Sequence, residues 1–261
     1  TGKTSPITSR SKPGLDPKIM PIRKVQFTPG EFYHAFNRGN GRQNIFNSDR
    51  DRYRFLQAIY LSNFSKTKLN IGFLERHKNG YTLADIEKIT KENKILRDPL
   101  VKICADCLMP NHFHFLLQEL EENGITKFMQ RLGTSYAKYF VTKYDRPGSL
   151  FQGRFKAVHV KTDEQLQYLI AYINAINPAQ LAEPQLKNDG IKNFKRVWEK
   201  VDSYKWSTHF EFTNKRESIL VDKGLLKKFF PTTRSYYDFI KNILRGKENR
   251  IWASIDNLTL E

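Results

Sequence analysis

Cysteine is almost missing from this chain: Cys104 and Cys107 are the two it has. A single Cys-x-x-Cys pair with no second pair supplies neither a four-cysteine zinc site nor a disulfide framework. The pair falls in an apparent strand, where positions i and i+3 face opposite sides, so both are read as buried thiols in a reducing compartment. No run of 18 apolar residues occurs, so no membrane span is indicated. Residues 1–15 lack the apolar centre of a signal peptide. They are rich in Ser, Thr, Lys, Pro and Gly, and a flexible basic tail is expected over 1–26. Internal repeats and long low-complexity blocks are also missing. Acidic residues are scarce, with 27 Asp and Glu against 44 Lys and Arg, a formal charge of +17. A field of that sign favours polyanions, nucleic acid first among them. The expected location is cytoplasmic and nucleoid-associated, with no membrane partner.

What is present is a folded composition, 39% apolar and 13% aromatic over 261 residues. Phe32–Asn37 reads as a strand, and Arg38-Gly39-Asn40-Gly41-Arg42 as a basic loop whose glycines let the backbone approach a neighbour closely. A helix is expected from Asp49 to about Asn63, capped by Asn47 or Ser48, with Tyr53, Leu56, Ile59 and Tyr60 as its apolar stripe. Residues 64–98 read as an insertion. Phe73-Leu74 suits a short element, and Tyr81–Asn93 carries helical spacing at Leu83, Ile86 and Ile89.

Val101–Leu108 and Asn111–Gln118 read as two strands joined by a short link at Met109-Pro110-Asn111, hence a hairpin. A helix is expected from Ile125 to about Tyr144, its stripe formed by Ile125, Phe128, Met129, Leu132, Tyr136, Tyr139 and Phe140. Leu150–Val160 is extended, and Glu164–Ile176 is helical up to Asn177-Pro178. Phe229–Leu244 is expected to be helical within a basic C-terminal extension, 181–261, that holds Trp198, Trp206 and Trp252. The extension is expected to contact DNA, with Trp198 and Trp206 in core packing. The order strand, helix, strand, strand, helix, strand implies an α+β fold: an antiparallel sheet with helices on one face.

The chemistry centres on His112 and His114. Alternation along a strand sends both to one side, with Phe113 and Phe115 to the other. Two adjacent imidazoles can share a divalent cation, or simply make ordinary hydrogen bonds. A tyrosine near such a pair, in a strongly basic chain, suits phosphodiester cleavage through a phosphotyrosine, because a cation on the phosphate oxygens offsets the poor nucleophilicity of a phenol.

The ordered blocks sharpen this. They are Tyr33-His34-Ala35-Phe36-Asn37-Arg38-Gly39-Asn40, Cys107-Leu108-Met109-Pro110-Asn111-His112-Phe113-His114-Phe115-Leu116-Leu117, Leu150-Phe151-Gln152-Gly153-Arg154-Phe155-Lys156-Ala157, Tyr172-Ile173-Asn174-Ala175-Ile176-Asn177-Pro178 and Tyr204-Lys205-Trp206-Ser207. Together they resemble the REP-associated tyrosine transposases, single-tyrosine relatives of the smallest bacterial insertion-sequence transposases, over about 30–210. The resemblance implies a ferredoxin-like core over 27–180. It implies a catalytic tyrosine on the helix after the histidine strand, matched best by Tyr136, with Tyr139 one turn on as the competitor. It implies Mg²⁺ or Mn²⁺ on His112 and His114 with a polar third ligand, often an Asn or Gln about one turn after the tyrosine. Phe140 occupies that place after Tyr136 and cannot ligate, leaving Gln152, Asp106 and Asn37 as candidates. The implied substrate is single-stranded or hairpin DNA, cleaved to a 5′-phosphotyrosine and a free 3′-hydroxyl and then rejoined, with Arg38, Arg42, Arg154 and Lys156 on its phosphates. A monomer is expected from the length. The alternative is a domesticated hairpin-binding protein of the same fold without catalysis.

Overall fold

A computed structural model describes residues 25–65 and 98–246, together with Asp85, Lys88 and Glu92. The expected tail up to residue 24, the element at Phe73-Leu74, Tyr81–Asn93 apart from Asp85, Lys88 and Glu92, and Trp252 lie outside the described residues.

Among the described residues, four strands form one antiparallel sheet: β1 (Phe32–Arg38), β2 (Val101–Met109), β3 (His112–Glu119) and β4 (Lys156–Val160), in the order β2-β3-β1-β4. With α1 (Asp49–Ser62) between β1 and β2, and α2 (Gly124–Tyr144) between β3 and β4, this is the ferredoxin-like arrangement. β2 and β3 are joined by Pro110-Asn111 alone, as the hairpin reading requires.

Ser48 starts α1 through a capping box in which Ser48 and Asp51 satisfy each other's backbone N–H groups. Its buried side is Phe55, Ala58, Ile59, Tyr60 and Leu61, while Tyr53 is exposed. The stripe is therefore turned slightly from the expected one, because Phe55 and not Tyr53 meets the sheet: its ring lies 4.9 Å from that of Phe113. Helix α2 begins where the buried Glu119 carboxylate accepts from the N–H groups of Gly124 and Ile125, an anion at the positive end of the helix. A Cβ on Gly124 would lie 2.3 Å from the Leu100 carbonyl oxygen, so this closure needs glycine. α1 and α2 cover the sheet face that carries Phe113 and Phe115, with Phe115 packed edge-on against Phe128.

The opposite face is partly covered by α3 (Asp163–Ala171) and the turns that extend it. The helix widens into a π-helical turn, Tyr172–Ile176, and ends with an α-helical turn, Asn177–Gln180. Asn177-Pro178 was expected to stop the helix. The wider turn explains why it does not: Asn177 N–H bonds to the Tyr172 carbonyl, and Pro178 then sits at the start of the next turn, where a missing N–H costs least.

Beyond lie α4 (Leu186–Asp189), α5 (Phe194–Ser203), α6 (His209–Phe212), α7 (Gly224–Phe229) and α8 (Thr233–Leu244). The single helix expected over Phe229–Leu244 is two, because Pro231 separates α7 from α8 and Thr232 caps the second. The extension covers the outer edge of β2. Leu108 N–H bonds to Trp206 O, Thr208 N–H to Asp106 O and Asp222 N–H to Ile103 O, and the Tyr204 hydroxyl donates to Leu108 O at 2.7 Å. An edge that would otherwise offer free N–H and C=O groups is thereby paired. Trp206 is buried, and Trp198 packs between Phe194, His209 and Tyr237.

Candidate active site

Strand register brings the predicted residues together. His112 pairs with Arg38 and His114 with Phe36, while Phe36 pairs across its other side with Lys156. Paired residues share a face, so histidines and cations meet on the side away from α1 and α2. The stretch before β4 is sewn to the end of β1: Gln152 N–H bonds to Arg38 O, Asn40 N–H to Leu150 O, and Asn37 Nδ2 donates to Gly153 O. The result is a pocket of about 390 Å³ lined by Phe36, Asn37, Arg38, Arg42, His112, His114, Gln152, Gly153, Arg154 and Lys156. Four of these are cations and none is a carboxylate, so the pocket suits an anion such as a phosphodiester.

The two imidazoles stand edge to face with centroids 4.9 Å apart. His112 Nδ1 lies 2.6 Å from Asn111 Oδ1, and His114 Nδ1 lies 2.9 Å from His34 Nε2. His34 is a buried histidine that sequence reasoning passed over, although it stands in the first family block. Each ring thus has its Nδ1 in contact with a neighbouring side chain, the arrangement that directs Nε2 to a cation in metal-binding histidines.

Gln152 and Asn37 line the pocket, whereas Asp106 does not. Register pairs Asp106 with Phe115, on the far face. Its carboxyl is buried, and desolvation with the nearby Glu211, against Arg216, pushes it up to about 7. Among the described residues no group of three His, Cys, Asp or Glu is placed to hold a metal. A cation here would have two imidazoles, with neutral amide oxygens from Gln152 or Asn37. That donor set fits Mn²⁺ better than Mg²⁺, which favours oxygen ligands.

Tyr136 is also absent from the pocket. It is fully buried between α2 and α1, its ring against Phe46 and Phe55 and its hydroxyl donating to Ile45 O at 2.6 Å. This places it on the opposite side of the sheet from His112 and His114. Burial, reinforced by the negative charge of Asp51, pushes its phenol well above the ordinary value. Tyr139 lies on the same side, its hydroxyl donating to Asp51 Oδ1 at 2.9 Å. The expectation that Tyr136 stands over the histidines is corrected: an apolar stripe that faces the sheet faces the layer opposite His112 and His114.

The tyrosine beside the histidines is Tyr172. Its ring meets that of His114 edge-on at 5.4 Å and that of His34 at 6.0 Å. Lys187 Nζ lies 3.5 Å from its hydroxyl. Tyr172 is buried at the first position of the π turn, and Asn177, one π turn on, has a buried Nδ2 without a hydrogen-bond partner. The signal that could have found Tyr172 is that it heads the block Tyr172–Pro178.

Residues 65–175 match the model of the family described as Transposase IS200 like. Among solved structures, "Structure of the REP associates tyrosine transposase bound to a REP hairpin" is 15% identical to this chain, covering 79% of this chain and 96% of that one, with a TM-score of 0.42. No curated protein matches. No helix among the described residues is long and apolar enough to cross a membrane.

Proposed function

We propose that this protein is a transposase that cleaves and rejoins single-stranded DNA at the His112–His114 pocket, with Tyr172 as the nucleophile. The observation that carries this reading is the convergence of four cations, two imidazoles and an adjacent tyrosine on one sheet face. Arg38, Arg42, Arg154 and Lys156 hold the strand by its phosphates. The Tyr172 oxygen forms a bond to phosphorus as the bond from phosphorus to the 3′ oxygen breaks; the phenol gives up its proton and the departing oxygen takes one. A 5′-phosphotyrosine and a free 3′-hydroxyl result, and attack by a 3′-hydroxyl reverses the step without an external energy source. Lys187 Nζ, 3.5 Å from the phenol oxygen, is the cation placed to stabilise negative charge that develops there during attack. His112 and His114, with Gln152 or Asn37 as third ligand, would hold Mn²⁺ or Mg²⁺. A bound divalent ion supplies charge stabilisation to the phosphate oxygens. Tyr172 is buried and does not itself line the pocket; its ring touches His114, which does, so attack requires its hydroxyl to reach the pocket when DNA is bound.

The test is incubation with a labelled hairpin-containing single strand and Mn²⁺. A covalent adduct is expected with the unaltered protein and with Tyr136→Phe, and none with Tyr172→Phe. An adduct that survives Tyr172→Phe and disappears in Tyr136→Phe overturns the assignment. No adduct with any of the proteins would favour a hairpin-binding protein without catalysis.

A further inference from the structure

We infer that Asn111 is a positioning residue that fixes His112 as the tautomer with its proton on Nδ1, so that Nε2 carries the ring's lone pair. The Asn111 amide has two distinguishable ends, and its neighbours orient it. The Arg42 carbonyl can only accept, and it lies 3.1 Å from Asn111 Nδ2, so the amide nitrogen points there. Oδ1 must then be the end that lies 2.6 Å from His112 Nδ1. A carboxamide oxygen can only accept, so the imidazole must donate, and in the neutral ring a proton on Nδ1 leaves Nε2 as the acceptor.

The loop that provides the Arg42 carbonyl is built to hold it there. Gly41 and Arg42 are both in the left-handed region, at φ 60° each. That conformation is uncommon for arginine and turns the chain sharply. Gly39 N–H bonds to Asn111 O at 2.8 Å, while Ile45 and Phe46 N–H both bond to Pro110 O. A Cβ at Gly39 would lie 2.2 Å from the Gln43 carbonyl oxygen, so this close turn also needs glycine. The loop and the β2–β3 turn are therefore one unit, and Asn111 is bonded to it through backbone and side chain.

The tautomer assignment stands on these hydrogen bonds alone; its consequence for a cation rests on the proposed role of the pocket as a divalent-ion site. The test uses the full chain, free of metal, with ¹⁵N-labelled histidine. At a pH where the ring is neutral, the ring nitrogen shifts of His112, assigned by their loss in His112→Gln, should report Nδ1–H. Asn111→Ala removes the acceptor, and His112 should move toward the Nε2–H form. Asn111→Asp restores an acceptor and should keep Nδ1–H. Mn²⁺ affinity, read by electron paramagnetic resonance, should fall about 10–100-fold in Asn111→Ala and be held in Asn111→Asp. An unchanged Nδ1–H signal in a folded Asn111→Ala overturns the inference, as does an Nε2–H signal in the unaltered protein. If the tautomer responds as stated but the unaltered protein binds no Mn²⁺, the inference is supported and the role of the pocket as a cation site is the part that fails.

Discussion

Acidification should reveal how α1 is clamped to α2. Asp51 is fully buried and accepts from Lys143 Nζ, the Tyr139 and Tyr144 hydroxyls and the N–H groups of Asn47 and Ser48. Burial alone would raise its carboxyl, but these hydrogen bonds, that from Lys143 first, outweigh it and bring it from 3.8 to about 2. The folded value lies below the unfolded one. The contribution to stability is therefore fully present above about pH 4 and is lost as pH falls through about 2. The difference between the two values corresponds to about 2 kcal/mol. Asp51→Asn keeps the shape but loses the charge, leaving Lys143 without its buried counter-ion. Urea denaturation of both proteins from pH 7 down to pH 2 is the assay. At pH 7 the variant should be less stable by about 2 kcal/mol or more, and the gap should narrow below pH 4. A gap that stays constant down to pH 2 would show that the carboxylate charge contributes nothing and that the loss is one of packing.

Other residues give equally definite outcomes. Tyr136→Phe loses a buried hydrogen bond and should cost about 1–2 kcal/mol, lowering the melting temperature by roughly 2–6 °C without reducing DNA adducts. Gly124→Ala should destabilise by more than about 2 kcal/mol in chemical denaturation, because its Cβ would collide with the Leu100 carbonyl. Replacing Arg154 or Lys156 with Ala should weaken single-strand binding and flatten its dependence on log salt by about 0.7 for each phosphate left without its cation. Mn²⁺ should bind the pocket more tightly than Mg²⁺ in a direct calorimetric titration, since two of its donors are imidazoles.

The sheet was legible because its strands carry local signals. Val101–Met109 and His112–Glu119 are apolar, separated by a proline and an asparagine, and the alternation of His and Phe named the two faces. The pocket residues were legible as types and as family blocks. The layer that covers each face could not be read. Tyr136 sits on a strong apolar stripe, and a stripe says that a residue is buried without saying against which side of a sheet. Asp106 fell into the same ambiguity. Tyr172 was hidden for another reason: it falls within the helix read over Glu164–Ile176, and no local pattern says that this helix packs on the sheet face of His112 and His114. The part played by His34 required knowing that β1 lies beside β3, a long-range pairing that no local pattern contains.

The central claim is that the reacting tyrosine lies on the sheet face of His112 and His114. Its most direct test is to digest the covalent adduct formed with single-stranded DNA and Mn²⁺ and to locate the nucleotide-bearing residue by tandem mass spectrometry. The account predicts the modification on Tyr172, in the peptide that runs into Asn177-Pro178. A nucleotide on Tyr136 or Tyr139, behind the sheet, would contradict it.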